Sequence, residues 1–398
     1  MVKMYTAFTQ EIDDPEAAVK EILEQLKPDE NMLKNTVGIV HFFYEFVDTE
    51  VCRAVIDALP FELVGEVSMY IGAGGRDAET AMSVVMLTSD DARFTVRTVT
   101  DLSTKSKELI SDEVTKLCTE LCAEEKPKMI MPILSLLPHF TGDDLVDIAN
   151  ALPDPLPFFG TLSVNLGIEN TNYVIAGGGI ATDTCTFIAF YGNIEPTFHI
   201  TTSFAFDDSF SDAAEITDVD GSILKEVDGI TAVKFIEGKG IKVAADKGLA
   251  DSSIWTIPAI LTYPDGTQIV RAFIKIVEGT EFMYATGSMK VGAKVVFSLL
   301  DGDKTLASAA KLVEDLKNSK GNDIIAYSCA ARAWSLGTNF FAEAQKVAKC
   351  AEGYLEANGV PLNYNVAYSG GELCPVKDKD GNMVNAFHNY TLIACAFN

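Results

Sequence analysis

Residues equipped for chemistry cluster in three short stretches near the end of this 398-residue chain. The run Ile324-Ile325-Ala326-Tyr327-Ser328-Cys329 reads as a buried strand that leads into Ala330-Ala331-Arg332. Ser328, Cys329 and Arg332 should therefore emerge at its C-terminal end, where open α/β sheets place ligands. Ser369-Gly370-Gly371-Glu372 sets a carboxylate beside two residues that permit close backbone approach. Phe387-His388-Asn389-Tyr390-Thr391 opens the last strand with polar side chains. A planar arginine fork suits a carboxylate and a glutamate suits an ammonium, so Arg332 and Glu372 could hold the two ends of a zwitterion. A plainer arrangement has Arg332 and Glu372 pairing with each other while His388 and Asn389 cap a loop.

The same residues permit an enzymatic alternative. Cys329 would be the nucleophile and His388 its base, the Ser369–Gly371 N–H groups an oxyanion hole, and Glu372 or Asn389 the orienting group. Such a site would catalyse amidase-like or acyl-transfer chemistry. An apolar strand in front of Cys329 raises its thiol pKa unless a cation such as Arg332 sits close. Binding without catalysis is the leading expectation, with no metal and no cofactor.

Other motifs carry less. No Gly-x-x-x-x-Gly-Lys-Ser/Thr loop is present, and Gly72-Ala73-Gly74-Gly75 lacks the spacing of a dinucleotide fingerprint. Asp218-Val219-Asp220-Gly221 and Asp378-Lys379-Asp380-Gly381 resemble calcium-loop fragments, but Ile216 and Val376 stand where the first acidic ligand belongs. Cys118 and Cys122 lie one helical turn apart and read as core. His41, inside an apolar strand, reads as a satisfied buried residue, and His139 and His199 suggest no role.

The elements positioning these groups recur. Gly38–Phe43, a helix over about 48–59, Glu62–Ser68, glycines 72, 74 and 75, and Met82–Leu87 form one strand, helix, strand, Gly-rich turn, strand series. Met129–Leu137, Asp143–Leu152, Phe158–Ser163, glycines 177 to 179 and Thr184–Phe190 form a second. Ile324–Cys329, Phe340–Glu356, Tyr364–Glu372 and Tyr390–Phe397 form a third. Helices are also expected over 14–26, 106–122 and 305–318. Pro264-Asp265-Gly266 between two alternating runs predicts a hairpin. The acidic stretch Asp207–Asp220 suits a connector, so the boundary is placed near residue 210, giving domains 1–210 and 211–398. The fold expected is α/β (α+β): two similar lobes, each a mixed β-sheet covered by helices.

Bulk composition agrees with a packed protein: 48% apolar and 22% charged residues. With 31 Lys and Arg against 57 Asp and Glu, the formal charge is −26. That charge disfavours nucleic acid and anionic membrane surfaces as partners. The N-terminus turns polar by Thr9-Gln10-Glu11, and no apolar run approaches a membrane span. Eight dispersed cysteines in apolar surroundings fit a reducing compartment, which predicts a cytoplasmic location.

These segments resemble the FIST family (F-box and intracellular signal transduction), in both its N-terminal and C-terminal portions. Carrying the likeness are Ala326-Tyr327-Ser328-Cys329-Ala330-Ala331-Arg332, then Glu343, then Ser369-Gly370-Gly371-Glu372-Leu373-Cys374-Pro375, then Phe387-His388-Asn389-Tyr390-Thr391-Leu392. Ile175-Ala176-Gly177-Gly178-Gly179-Ile180-Ala181-Thr182-Asp183 resembles the glycine-rich turn of the N-terminal portion. Two departures are Tyr368-Ser369-Gly370-Gly371-Glu372 where members often carry Gly-Tyr-Gly-Glu, and Ala331 in place of a glycine.

The resemblance implies a sensory module for a small ligand, with amino acids and related metabolites proposed for the family. Its ligand set would be Ser328, Cys329, Arg332, Ser369, Gly370, Gly371, Glu372, His388, Asn389 and Thr391. Lacking room for an output domain, the chain would signal through a separate protein partner. Some members are associated with haem and nitric oxide sensing, which as an alternative would require an axial histidine such as His388.

Overall fold

A computed structural model describes all residues except 138, 165–170, 205–208, 210, 244–253, 318, 320 and 398. The first unit contains β1 (Lys3–Thr9), α1 (Pro15–Leu26), α2 (Pro28–Asn31), β2 (Asn35–Phe42), α3 (Glu45–Asp48), α4 (Val51–Ala58), β3 (Glu62–Val67), β4 (Ile71–Ala73), β5 (Arg76–Ala78) and β6 (Met82–Ser89). The second contains β7 (Ala92–Val99), α5 (Lys107–Leu121), β8 (Met129–Leu134), α6 (Gly142–Ala151), β9 (Gly160–Leu162), β10 (Val174–Ala176), β11 (Gly179–Ala181) and β12 (Cys185–Gly192).

A third unit opens with β13 (Thr197–Thr202) and is interrupted by β14 (Ala214–Asp220), β15 (Ile223–Val227), β16 (Ile230–Thr231), α7 (Ala232–Gly238), β17 (Ala259–Thr262), β18 (Gln268–Arg271), β19 (Phe273–Ile276), β20 (Met283–Ala285) and β21 (Lys294–Phe297). It resumes with α8 (Gly302–Lys317), β22 (Asp323–Cys329), α9 (Ala330–Leu336), α10 (Ala342–Asn358), β23 (Asn363–Ser369), β24 (Glu372–Lys377), β25 (Met383–His388) and β26 (Thr391–Phe397).

Local chemistry accounts for many of the boundaries. Asp14 and Ser106 accept from the amides of Ala17 and Leu109 and so cap α1 and α5. The helix expected over about 48–59 breaks in two, because Glu50 takes a left-handed φ of 63° between α3 and α4. The Pro264-Asp265-Gly266 hairpin forms as expected between β17 and β18. The acidic stretch read as a connector is corrected in part: Ala214–Asp220 is a strand, whose buried Ala214 and Ile216 alternate with exposed Glu215 and Thr217. Its residues 207, 208 and 210 lie outside the described set.

Sheet pairing turns the repeat into a ring. In each unit the central strand runs parallel to its successor and antiparallel to the last: β2 to β3 and β6, β8 to β9 and β12, β22 to β23 and β26. Each Gly-turn hairpin, however, joins a neighbour's sheet. The β4–β5 hairpin extends β23, β10–β11 extends β3, and β24–β25 extends β9. The exchange repeats at single bonds: the amides of Tyr368, Val67 and Leu162 donate to the carbonyls of Tyr70, Tyr173 and Gly371. Likewise the hydroxyls of Ser68 and Ser163 donate to the Tyr70 and Tyr173 carbonyls, and the Ser369 hydroxyl lies 3.5 Å from the Gly371 carbonyl.

Three six-stranded mixed sheets thus enclose a shared core that takes Ile39, Val64 and Val85 from the first, Met131, Phe159 and Ile188 from the second, and Ile325, Tyr327 and Ile393 from the third. Outer faces are covered by α1 and α4, by α5 and α6, and by α8 and α10. Burying one such aliphatic or aromatic side chain contributes roughly 1.5–3 kcal/mol. The interrupting segment forms its own antiparallel sheet, β18-β17-β21-β14-β15-β20-β19, with β16 beside β15. The result is an α/β protein in two parts, one holding two units and the other the third unit with the inserted sheet. Strands from both sides of residue 210 share two of the three six-stranded sheets, those that contain β24–β25 and β4–β5.

Candidate functional site

The third unit sorts its polar residues onto two faces. Successive strand residues point to opposite sides, so Ser328 faces the helices while Cys329 faces the other way, against Tyr390 and the inserted sheet. On the helix side Arg332 is fully buried, and its Nε donates to Glu343 Oε2 at 2.9 Å. The Nη groups reach the Tyr390 and Thr305 carbonyls, both at 3.2 Å, and Ser308 Oγ at 2.8 Å. Ser328 donates its hydroxyl to the other Glu343 oxygen. The Arg332 fork is therefore paired with the internal carboxylate of Glu343 and not with Glu372. Ser328 belongs to the same closed network.

On the other side Glu372 is the centre. Its carboxylate oxygens accept from the Ser369 and Thr391 hydroxyls, each at 2.8 Å, and the Cys329 thiol lies within hydrogen-bonding reach. Among the described residues it makes no ion pair. Burial pushes its carboxyl up to about 8, against the downward pull of those hydroxyls and of the Arg332 charge. Glu372 is thus largely neutral at pH 7.

Gly370 and Gly371 are required by packing. A Cβ on Gly370 would meet the Ser163 carbonyl oxygen at 2.8 Å, and one on Gly371 would meet the Phe387 ring at 2.5 Å. The Gly370 N–H is already bonded to the Leu162 carbonyl at 2.7 Å, which removes it from any oxyanion hole. Burial and the nearby Glu372 push the Cys329 thiol well above its ordinary range, so it stays protonated. His388, buried and lowered to about 3, turns its Nε2 to the Cys374 carbonyl at 3.4 Å. That contact leaves no axial position for a haem on this atom, and among the described residues no hydrogen bond joins His388 to Cys329.

Asn389 and Tyr390 form the turn into β26. Tyr390 holds a left-handed φ of 57°, unusual for a bulky residue, and packs its ring edge-on against Phe204 at 5.3 Å while its hydroxyl donates to the Trp255 carbonyl. Asn389 Oδ1 accepts from the Thr286 hydroxyl and the Ala272 amide of the inserted sheet. Its buried Nδ2 has no partner among the described residues. The inserted sheet covers this end of the site, with Ile260, Val270 and Val296 packing on Cys329 and Tyr390. It is fastened by Arg271, fully buried, which pairs with Asp143 of α6 and donates to the Phe387 carbonyl at 2.8 Å.

Sequence reasoning missed a second polar group on the inner face of the first sheet. Ser83, His41 and Glu66 are register neighbours across β6, β2 and β3, and all three are fully buried. Both His41 ring nitrogens and both Glu66 oxygens lack partners among the described residues. Burial lowers His41 to about 3 and raises Glu66 well above the ordinary carboxylate range, against the pull of the neighbouring Thr161 hydroxyl and with the Glu372 charge adding to the rise. Asn365 donates to Ser83 Oγ at 2.7 Å and leaves its Oδ1 unpaired. The only signal in the sequence was ionisable residues within strands otherwise apolar.

The description of a FIST N domain fits residues 36–230, and that of a FIST C domain fits residues 241–375. The chain belongs to the FIST family, whose domains are associated with sensory signal transduction. No curated protein matches. Among solved structures, a phosphoribosylformylglycinamidine synthase II from Thermotoga maritima aligns at 9% identity over 100% of this chain and 72% of the other, with a TM-score of 0.20. So low a score carries no argument. Among the described residues no helix is long and apolar enough to cross a membrane, and no group of metal-ligating side chains is present.

Proposed function

We propose that the chain is a sensory protein that binds an amino acid or related amino-bearing metabolite beside Glu372 and signals through a separate protein partner. The observation that carries this reading is a fully buried carboxyl, ringed by Ser369, Thr391 and Cys329, with no cation paired to it among the described residues. A ligand ammonium supplies the missing charge. The unpartnered Nδ2 of Asn389 is a donor for the ligand's carboxylate. Gly370 and Gly371 set the turn, His388 flanks Glu372 as its strand neighbour, and Ser328 and Arg332 position Cys329 and Tyr390 from behind the strand.

Unliganded protein should show the cost of that carboxyl. Its folded-state value of about 8 exceeds the ordinary 4.5, so native protein binds the proton more tightly than unfolded chain. The resulting stabilisation is fully present below about 4.5 and lost as pH rises through about 8. In a melting-temperature survey of the common amino acids at neutral pH, at least one should stabilise the wild type. Glu372→Gln, which keeps the neutral hydrogen bonds but cannot become an anion, should lose that response. No stabilisation across the panel, or full retention in Glu372→Gln, would overturn the reading.

A further inference from the structure

Glu66, His41 and Asn365 belong to the N-terminal FIST match and to the third unit, and together they place unpaired polar atoms on the inner face of two sheets. Their surroundings are closed. The His41 ring lies edge-on to Tyr327 at 5.6 Å, and Asn365 is tied to Ser83, the register neighbour of His41. Thr161 lies beside Glu66 and is the register neighbour of Glu372 across β9 and β24. Thus one residue separates the two buried carboxyls along the ring of sheets. With Glu66 ionised, as a bound cation would make it, the unpaired atoms are mostly acceptors: two Glu66 oxygens, the Asn365 carbonyl and one imidazole nitrogen. Such a set lacks a compact, multiply donating cation.

We propose that the cationic group of the ligand is held between Glu66 and Glu372, with His41 and Asn365 completing its hydrogen bonds, so that one amine-binding position is built jointly by the first and third units. This assignment rests on the amine-binding reading above and extends it to residues outside the C-terminal portion. A protonated primary amine, with three N–H donors, matches the acceptors. The groups facing this position are Glu66, His41 and Ser83 from the first sheet, Tyr327 and Asn365 from the third, and Thr161 and Glu372 from the second, with the Arg332 charge acting from behind β22.

Ammonium chloride, compared with sodium chloride at matched concentration, probes the position in the 398-residue chain without knowledge of the natural ligand. Ammonium should raise the wild-type melting temperature by about 2 °C or more beyond sodium. The difference should grow between about pH 6 and about pH 8, because the cation favours the ionised carboxyls. Glu66→Gln should abolish it. If that variant does not fold, the pH trend of the wild type decides. Equal effects of the two salts, or no growth with pH, would mean that ordered water alone fills the position and would overturn the assignment. Retention of the ammonium effect in Glu66→Gln would also overturn it. An amino-acid response lost in Glu372→Gln but kept in Glu66→Gln would remove Glu66 while leaving the amine-binding reading intact.

Discussion

Arg332→Ala is expected to destabilise the protein by about 3–5 kcal/mol, the cost of stranding one member of a buried ion pair. Glu343 would keep its charge with no cation, while the Tyr390 and Thr305 carbonyls and Ser308 would lose their donor. Removing both charges together, as in Arg332→Met with Glu343→Leu, should cost less than the single change, since no buried charge is left unpaired. Denaturant unfolding of the three variants measures this directly. A single variant within about 1 kcal/mol of wild type would contradict the closed network and return Arg332 to the pool of ligand-facing groups.

Arg271→Ala should have an effect of similar size, about 3–5 kcal/mol, but localised. Arg271 is the buried link from β18 to Asp143 and to the Phe387 carbonyl, and Asp143 also receives the Ser288 amide at 2.7 Å. Its loss should release the inserted sheet from α6 before the three-unit ring unfolds. Limited proteolysis should then cut within residues 214–297 at temperatures where the wild type resists. Fragments that arise only with global unfolding would show that apolar packing alone holds the sheet in place.

Much of the architecture was legible because its causes are local. Strand–helix–strand order is written in hydrophobic periodicity, and Asp14, Ser106 and the Pro264-Asp265-Gly266 turn announce their own geometry. The exchange of hairpins around the ring was not legible. A Gly-rich turn specifies that two short strands pair, whereas the sheet edge that receives them depends on contacts up to about 300 residues away in sequence, such as Val366 with Gly72. The partner of Arg332 was hidden for a related reason. Glu343 stood in the family pattern, yet only the packing of α10 on the outer face brings its carboxylate to the guanidinium.

His41 and Glu66 illustrate the opposite limit. In an apolar strand a single ionisable residue reads as a satisfied core group, and whether a partner exists is a question about neighbouring strands. Here the register supplies another polar group, Ser83, but no hydrogen bond to either His41 nitrogen among the described residues. Ser328 and Cys329 show the value of period-two reasoning applied to the end of a strand. Adjacent in sequence, they serve opposite faces, one in the Arg332–Glu343 network and the other beside Glu372.

A ligand amine seated in the polar interior around Glu372 should be visible directly. A crystal structure of the full chain grown with a mixture of common amino acids tests it most directly. Density is expected for a bound molecule with its amino nitrogen in hydrogen-bond contact with the carboxyls of Glu372 and Glu66. Density confined to protein atoms and water around those two residues would contradict it.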